Sequence, residues 1–382
     1  MQTLVDPALF PSDVFLQHIL PLCPREFFFV SKSFEKLCFR LLLSCPQRRD
    51  RAIRLASRNG YVSLLERLLQ DERVDPSASD DFAIRMAASK GHLKVVDRLL
   101  RDERVDPSAN DNDAIKSAAE KGHLQVVDRL LQDERVDPSA NDNDAIKSAA
   151  EKGHLQVVDS LLQDERVDPS AEDNYAIQTA ATEGHSLVVD RLLQDERVDP
   201  SDAGNYAIQL AAEKGHLQVV DSLLQDERVD PSDADNYAIR SAAAAGHLPV
   251  VDRLLQDERV DPSANDNDAI RSAASNGHLE VVERLLQDER VDPSARGNYA
   301  ISFAALNGHL PVVDRLLQDE RVDPSANDND AMLGAAANGH SELVERLLQD
   351  ERVAPSTVDK GAFRLALASG KLGSAVRRLR RT

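Results

Sequence analysis

Nine of the ten histidines stand 31 residues apart, from His92 through His123 and His154 to His340. Asp-Glu-Arg-Val recurs ten times on the same spacing, starting at residues 71, 102, 133, 164, 195, 226, 257, 288, 319 and 350. The three cysteines, Cys23, Cys38 and Cys45, lie near the start with His18. Imidazole, thiol and carboxylate are the groups that ligate metals and move protons. For the histidines, shared ligation fails on geometry. Packed helical layers step by about 10 Å, whereas ligating nitrogens sit about 2 Å from one ion. A structural imidazole, buried and hydrogen-bonded across a turn, fits the spacing instead. Cys23, Cys38, Cys45 and His18 have the number for a zinc site, but no Cys-x-x-Cys pair supports it. No Gly-rich phosphate loop, His-Glu-x-x-His or nucleophile elbow occurs. No enzyme activity, metal or cofactor is expected.

The constant spacing implies that each set is carried by one repeated unit. Take the unit around Asn143. Asn recurs here at residues 112, 143, 174, 205, 236, 267, 298 and 329, with Asp81 in the earliest full copy. Asn or Asp ahead of an Ala-rich run reads as an N-cap. Ala145, Ile146, Ala149 and Ala150 then form one face of a short helix, small enough for a neighbouring backbone to approach. Gly153 ends it, and Gly holds this place eleven times, from Gly60 to Gly370; glycine takes the left-handed conformation of a helix end without steric cost. A second helix follows with Leu155, Val157, Val158, Leu161 and Leu162 as a wide apolar stripe. Pro249 and Pro311 fall at its second residue, where only a first turn tolerates proline. Asp-Pro then opens a turn. About eight apolar side chains cannot offset the ordering of 31 residues, so a unit must stack on its copies.

The string "AIKSAAEKGHLQVVDRLL" resembles the ankyrin repeat, whose units show Pro-Leu-His-x-Ala-Ala and Gly-His-Leu-x-Val-Val-x-x-Leu-Leu. The Ala-Ala, Gly-His, Val-Val and Leu-Leu elements match in place over roughly residues 45–382. The resemblance implies an all-α helix-turn-helix solenoid of about eleven units. Residues 51–69 would open it, and the stretch around Phe363, Gly370 and Arg377–Arg381 would close it. The chain departs from the family in three places. The Thr-Pro-Leu-His opening is Asp/Tyr-Ala-Ile-Arg/Lys/Gln, the unit is 31 residues rather than roughly 33, and Asp-Glu-Arg-Val-Asp-Pro-Ser replaces the Gly-Ala-Asp type of loop. The β-hairpin finger of the family is therefore left open as an expectation.

Copies of one unit can be compared with each other. Asp-Glu-Arg-Val never varies, as expected of an Arg paired with neighbouring acids and a Val filling the layer between units. Three columns of the first helix drift. One runs Phe82, Asp113, Asp144, Tyr175, Tyr206, Tyr237, Asp268, Tyr299, Asp330; the next begins Arg85 and includes Gln178, Gln209 and Arg240; the third begins Met86 and includes Phe303. The resemblance implies that these columns lie on the concave side, where partners bind. The expected target-protein contacts are Phe82, Arg85, Met86, Tyr175, Gln178, Tyr206, Gln209, Tyr237, Arg240, Tyr299 and Phe303. Exposed tyrosine is a frequent hot-spot residue. A bland alternative stands beside this: Tyr covers the adjacent turn and Asp helps cap the helix.

Residues 10–37, "FPSDVFLQHILPLCPREFFFVSKSFEKL", do not follow the repeat. They resemble an F-box, a helical module with a Leu-Pro opening and a later Val-Ser-Lys-x-Phe, although the stretch between Leu22 and Val30 is shorter than the family's. The resemblance implies that Phe10, Pro11, Val14, Ile19, Leu20 and Val30 bind the Skp-type linker protein of a cullin-RING ubiquitin ligase. An F-box followed by near-identical ankyrin units is similar to proteins of giant DNA viruses of amoebae and of their hosts. The expected domains are a module over 1–44 and an array over 45–382. The other reading makes 1–44 only a hydrophobic cap for a stand-alone scaffold.

Charge narrows the partners. The chain carries −20 in total, with +1 on residues 1–50 and +6 on 357–382, which leaves −27 for the residues between. An acidic body opposes phosphate backbones, so nucleic acid is not an expected partner. No run of about 18 apolar residues suggests a membrane span. Asp6 and Asp13 do not suit a signal peptide, and an odd number of cysteines, none in the long repeat region, suits a reducing compartment, cytoplasm or nucleus.

Overall fold

A computed structural model describes residues 46–353. These form twenty helices, and no strand occurs among the described residues. In chain order the first ten are α1 (Pro46–Asn59), α2 (Val62–Leu69), α3 (Ala78–Ser89), α4 (Leu93–Leu100), α5 (Ala109–Glu120), α6 (Leu124–Leu131), α7 (Ala140–Glu151), α8 (Leu155–Leu162), α9 (Ala171–Thr182) and α10 (Ser186–Leu193). The remainder are α11 (Asp202–Lys214), α12 (Leu217–Leu224), α13 (Asp233–Ala245), α14 (Leu248–Leu254), α15 (Ala264–Asn276), α16 (Leu279–Leu285), α17 (Ala295–Leu306), α18 (Leu310–Leu317), α19 (Ala326–Asn338) and α20 (Ser341–Leu347). The described residues divide into two compact units, the first running up to residue 149 and including 159–167, the second comprising 150–158 and the residues from 168 onward. In the first, α1, α3 and α5 pack side by side, as do α2, α4 and α6. In the second, α9, α11, α13, α15, α17 and α19 form one row and α10, α12, α14, α16, α18 and α20 the other.

The repeated apolar pattern explains both rows. In α13 the core residues Ala238, Ile239, Ala242 and Ala243 are buried, and in α14 Val250, Val251 and Leu254 are buried. The alanines keep the first helices close, and the branched residues fill the layer beneath. Val260, the fixed Val of the loop, is also buried, as expected.

Glycine at the turn does more than end a helix. Gly215 has φ +79°, a region that penalises any side chain. A Cβ there would also lie only 2.6 Å from Nδ1 of His247, one repeat later. The two fixed residues, Gly and His, therefore form a pair across the interface. His247 Nε2 lies 3.0 Å from the Glu213 carbonyl oxygen. A carbonyl only accepts, so this nitrogen carries the proton. The same bond joins His92 to Arg58 and His123 to Ser89 in the first unit, and His185 to Glu151 through His340 to Leu306 in the second. The imidazoles are structural, but half-buried rather than fully buried.

The Asn column is not an N-cap. Residues 110–112 all have positive φ, near +56°, +54° and +59°, and the same three-residue left-handed turn precedes the right-handed part of every first helix from α3 to α19. Consecutive left-handed residues are disfavoured because Cβ meets the backbone carbonyl, and Asn, Asp and Gly tolerate it best. Those three types fill 22 of the 27 positions in the nine turns, which is why the loop reads Asn-Asp-Asn so often. The third residue is buried, and its side chain reaches forward rather than to its own helix. Asn112 Oδ1 accepts the Asp137 amide at 2.8 Å, and Asn267 Oδ1 accepts the Asp292 amide at 2.6 Å. This turn occupies the connection where the family's hairpin finger was an open expectation.

The fixed Arg ties the connection from the other side. Arg259 grips Asp257 through Nε and Nη2 at 2.9 and 2.7 Å and donates Nη1 to the Val229 carbonyl at 2.7 Å. Arg104 does the same with Asp102 and Val74. The partner acid is thus in the same loop, while the neighbouring unit supplies a carbonyl. On the second helices a further ladder runs from Arg98 to Glu66, Arg129 to Asp97 and, in the second unit, Arg284 to Asp252.

These contacts set opposite pH responses. The Arg73 side-chain bond holds the Asp71 carboxyl down at about 2, and Asp102, Asp257 and Asp319 are lowered by the equivalent arginine. Their contribution is present above the ordinary Asp value, near 3.9, and is lost as pH falls through the depressed one. Burial pushes the Asp81 carboxyl the other way. Asp81 stands where eight later repeats have Asn, and its Oδ1 accepts the Asp106 amide at 2.8 Å. Asp81→Asn keeps that acceptor and removes a buried charge. Chemical denaturation is expected to show a gain on the order of 1 kcal/mol at pH 7. The gain is full above the raised folded-state value and disappears below the unfolded one, near 3.9, where Asp81 is protonated in both states.

Candidate protein-interaction surface

The drifting columns lie on the first helices just after the left-handed turns. In the second unit Tyr175, Tyr206, Tyr237 and Tyr299 are among the few large apolar side chains that remain exposed, at 46%, 44%, 37% and 39%. Nothing in their own helices requires this. The neighbouring Ala176, Ala207, Ala238 and Ala300 carry the packing. Tyr237 Oη reaches Glu213 Oε2 at 3.5 Å. Phe303 stacks on Tyr299 with ring centres 3.9 Å apart and 19° between planes. In the first unit Phe82 and Met86 are half-buried, and the guanidinium groups of Arg54 and Arg85 lie 5.8 and 5.9 Å from the Phe82 ring centre.

The second column behaves differently from its expected role. Gln178 and Gln209 are buried rather than offered outward. Gln178 Nε2 donates to the Asp173 carbonyl and Gln209 Nε2 to the Gly204 carbonyl at 2.6 Å. Both carbonyls belong to left-handed turns, whose peptide oxygens lack a helical partner. Arg85 bonds the Ser79 and Asp80 carbonyls, and Arg240 those of Ala234 and Asp235. This column is a clamp on the turn behind it.

The same side chains also look forward, a relation that position-by-position reading missed. Arg85 Nη1 meets Asp113 Oδ2 at 3.0 Å, Lys116 Nζ meets Asp144 Oδ2 at 2.6 Å, and Arg240 Nε meets Asp268 Oδ2 at 2.8 Å. Arg271 lies 5.5 Å from the Tyr299 ring centre. Each pair spans 28 residues. Where the later column carries Asp in these pairs, the earlier one carries a cation; before Tyr206 and Tyr237 the cation is replaced by Gln. The signal was in the sequence as a correlation between columns of adjacent repeats. Arg271 is buried, with Nη2 on the Asn265 carbonyl and on Asp268 Oδ1, both at 3.0 Å.

The expected linker-binding residues Phe10, Pro11, Val14, Ile19, Leu20 and Val30 lie outside the described residues. So do Cys23, Cys38, Cys45 and His18. Among the described residues, no group of three or more His, Cys, Asp or Glu is arranged to hold a metal ion. Among the described residues, no helix is long and apolar enough to cross a membrane.

Helix pairs stacked in rows, tied by side chains from one copy to the next, define a helical-repeat protein. The family model described as ankyrin repeats (3 copies) matches residues 53–144, 84–173, 146–235, 174–268 and 270–359. The chain belongs to the ankyrin-repeat family. No curated protein matches it. Ankyrin-repeat proteins are generally non-catalytic scaffolds that bind other proteins.

The forward pairs make a direct test possible. A double-mutant cycle on Lys116→Ala and Asp144→Ala is expected to give a coupling of roughly 0.5–1 kcal/mol, as for a partly exposed ion pair. The coupling should shrink in high salt.

Proposed function

We propose that the protein is a non-catalytic adaptor. The first-helix face of the second unit selects a target protein through its exposed tyrosines, and residues 1–44 dock on the Skp-type linker of a cullin-RING ubiquitin ligase. The observation that carries the first half is the exposed tyrosine row: four rings kept in solvent on helices whose packing is complete without them. Phe82, Arg85 and Met86 extend the target-binding assignment to the first unit, where the aromatic–cation cluster offers a preformed contact. The F-box resemblance of residues 10–37 supports the second half. Its combination with near-identical ankyrin units supports a protein of a giant DNA virus of amoebae, or of such a host, working in the cytoplasm or nucleus of the host cell.

The two halves separate experimentally. The full chain is expected to pull down a Skp-type protein from the host, and Pro11→Ala with Leu20→Ala to abolish that capture while target binding persists. Equal capture by the double mutant removes the F-box assignment. Deleting residues 1–44 should then lower stability alone, as it would for a cap.

A further inference from the structure

At the aromatic column the described residues show what a ring receives when the chain itself supplies it. Arg271 lies over Tyr299, Arg240 lies 6.0 Å from the Tyr237 ring centre, and Arg54 and Arg85 lie over Phe82. Cation–π contact of this kind contributes about 0.5–1 kcal/mol at exposed sites, and the planar guanidinium of arginine can also stack on the ring. Tyr206 differs from these three rings. It is 44% exposed and has no guanidinium over its ring among the described residues.

Two glutamines account for this: Gln209 stands where Arg240 follows Tyr237, and Gln178 stands where Arg271 precedes Tyr299. Tyr299 receives Arg271 from 28 residues upstream, and Tyr206 has Gln178 in that place. The Gln178 amide is shorter, uncharged and turned back to the Asp173 carbonyl. The surroundings are strongly acidic. Residues 168–245 hold sixteen Asp or Glu and five Lys or Arg, a net −11. Four of those five cations, Arg197, Lys214, Arg228 and Arg240, are already bonded to carboxylates. A bare ring in a field of surplus negative charge favours a cation from outside.

We infer that Tyr206 seats an arginine side chain of a protein partner, its guanidinium taking over this ring the place that Arg271 takes over Tyr299. The partner is an extended basic segment. Adjacent repeats are about 10 Å apart, which roughly three extended residues span. A second arginine three positions along then reaches the neighbourhood of Tyr237 and Glu213. This rests on the reading of the second unit's first-helix face as the target-binding face, and it specifies the chemistry of what binds there.

The test uses the full chain and two labelled peptides, one with arginine at every third position and one with glutamine in those places. The arginine peptide is expected to bind, more weakly as salt rises. Tyr206→Ala should weaken it about 5-fold, and Tyr206→Phe, which keeps the ring, should leave it within about 2-fold. Gln178→Arg should weaken it comparably to Tyr206→Ala by filling the seat from within. That side chain is accommodated, because Arg240 and Arg271 occupy the same column. If the glutamine peptide binds equally with the same dependence on Tyr206, the cationic partner is wrong and the face keeps its role. If the arginine peptide fails to bind, or binds regardless of Tyr206→Ala and Gln178→Arg, the seat itself is wrong.

Discussion

Each repeat leaves main-chain groups that it cannot satisfy itself, and the next or previous copy satisfies them. A helix end and a tight turn both leave amides and carbonyls without partners. Here the Asn of the left-handed turn accepts an amide 25 residues ahead. The His at the Gly turn donates to a carbonyl 34 residues behind, and the loop Arg donates to a carbonyl 30 residues behind. A buried polar group without a partner costs about 1–3 kcal/mol. Each interface between adjacent copies holds three such bonds, and parting the copies there would lose them together with the apolar layer between Val-Val and Leu-Leu stripes. Stability in such arrays resides largely in the contacts between copies.

This dependence accounts for which residues are fixed and which drift. The loop Arg and the His are kept because they address the neighbour's backbone, which does not change from copy to copy, while the loop Asp holds that Arg and the Gly leaves room for the neighbour's His ring. The turn can hold three left-handed residues in a row because its carbonyls and its third side chain are both engaged, by the Arg or Gln clamp and by the next repeat's amide. Aromatic, acidic and cationic positions on the first helix address side chains of the neighbour or the solvent, so they vary, though in matched pairs. The tyrosines of this column keep much of their rings exposed.

The period, both helices, the Gly turn and the buried Val were legible because their signals are local. A glycine ending an Ala-rich run and a Leu-x-Val-Val-x-x-Leu-Leu stripe can be read within one copy. The Asn column was misread for the same reason. Asn before a helix is a local cap signature, whereas Asn112 acts 25 residues away. Gln178 looked like a partner-facing residue because it varies, yet it varies as a clamp matched to its surroundings. The pairing of Lys116 with Asp144 required reading two copies as one object.

The central claim is that side chains reaching between copies hold the array, and it is tested most directly by one substitution made twice in one turn. Asn265 and Asn267 share the same left-handed turn. Asn265 is exposed, at a position where Ala203 and Ala234 occur naturally, while Asn267 is buried and holds the Asp292 amide. Urea denaturation of Asn265→Ala should give a stability within about 0.5 kcal/mol of the parent chain. Asn267→Ala should lose roughly 1–3 kcal/mol. Equal losses, or a larger loss at Asn265, would contradict the account.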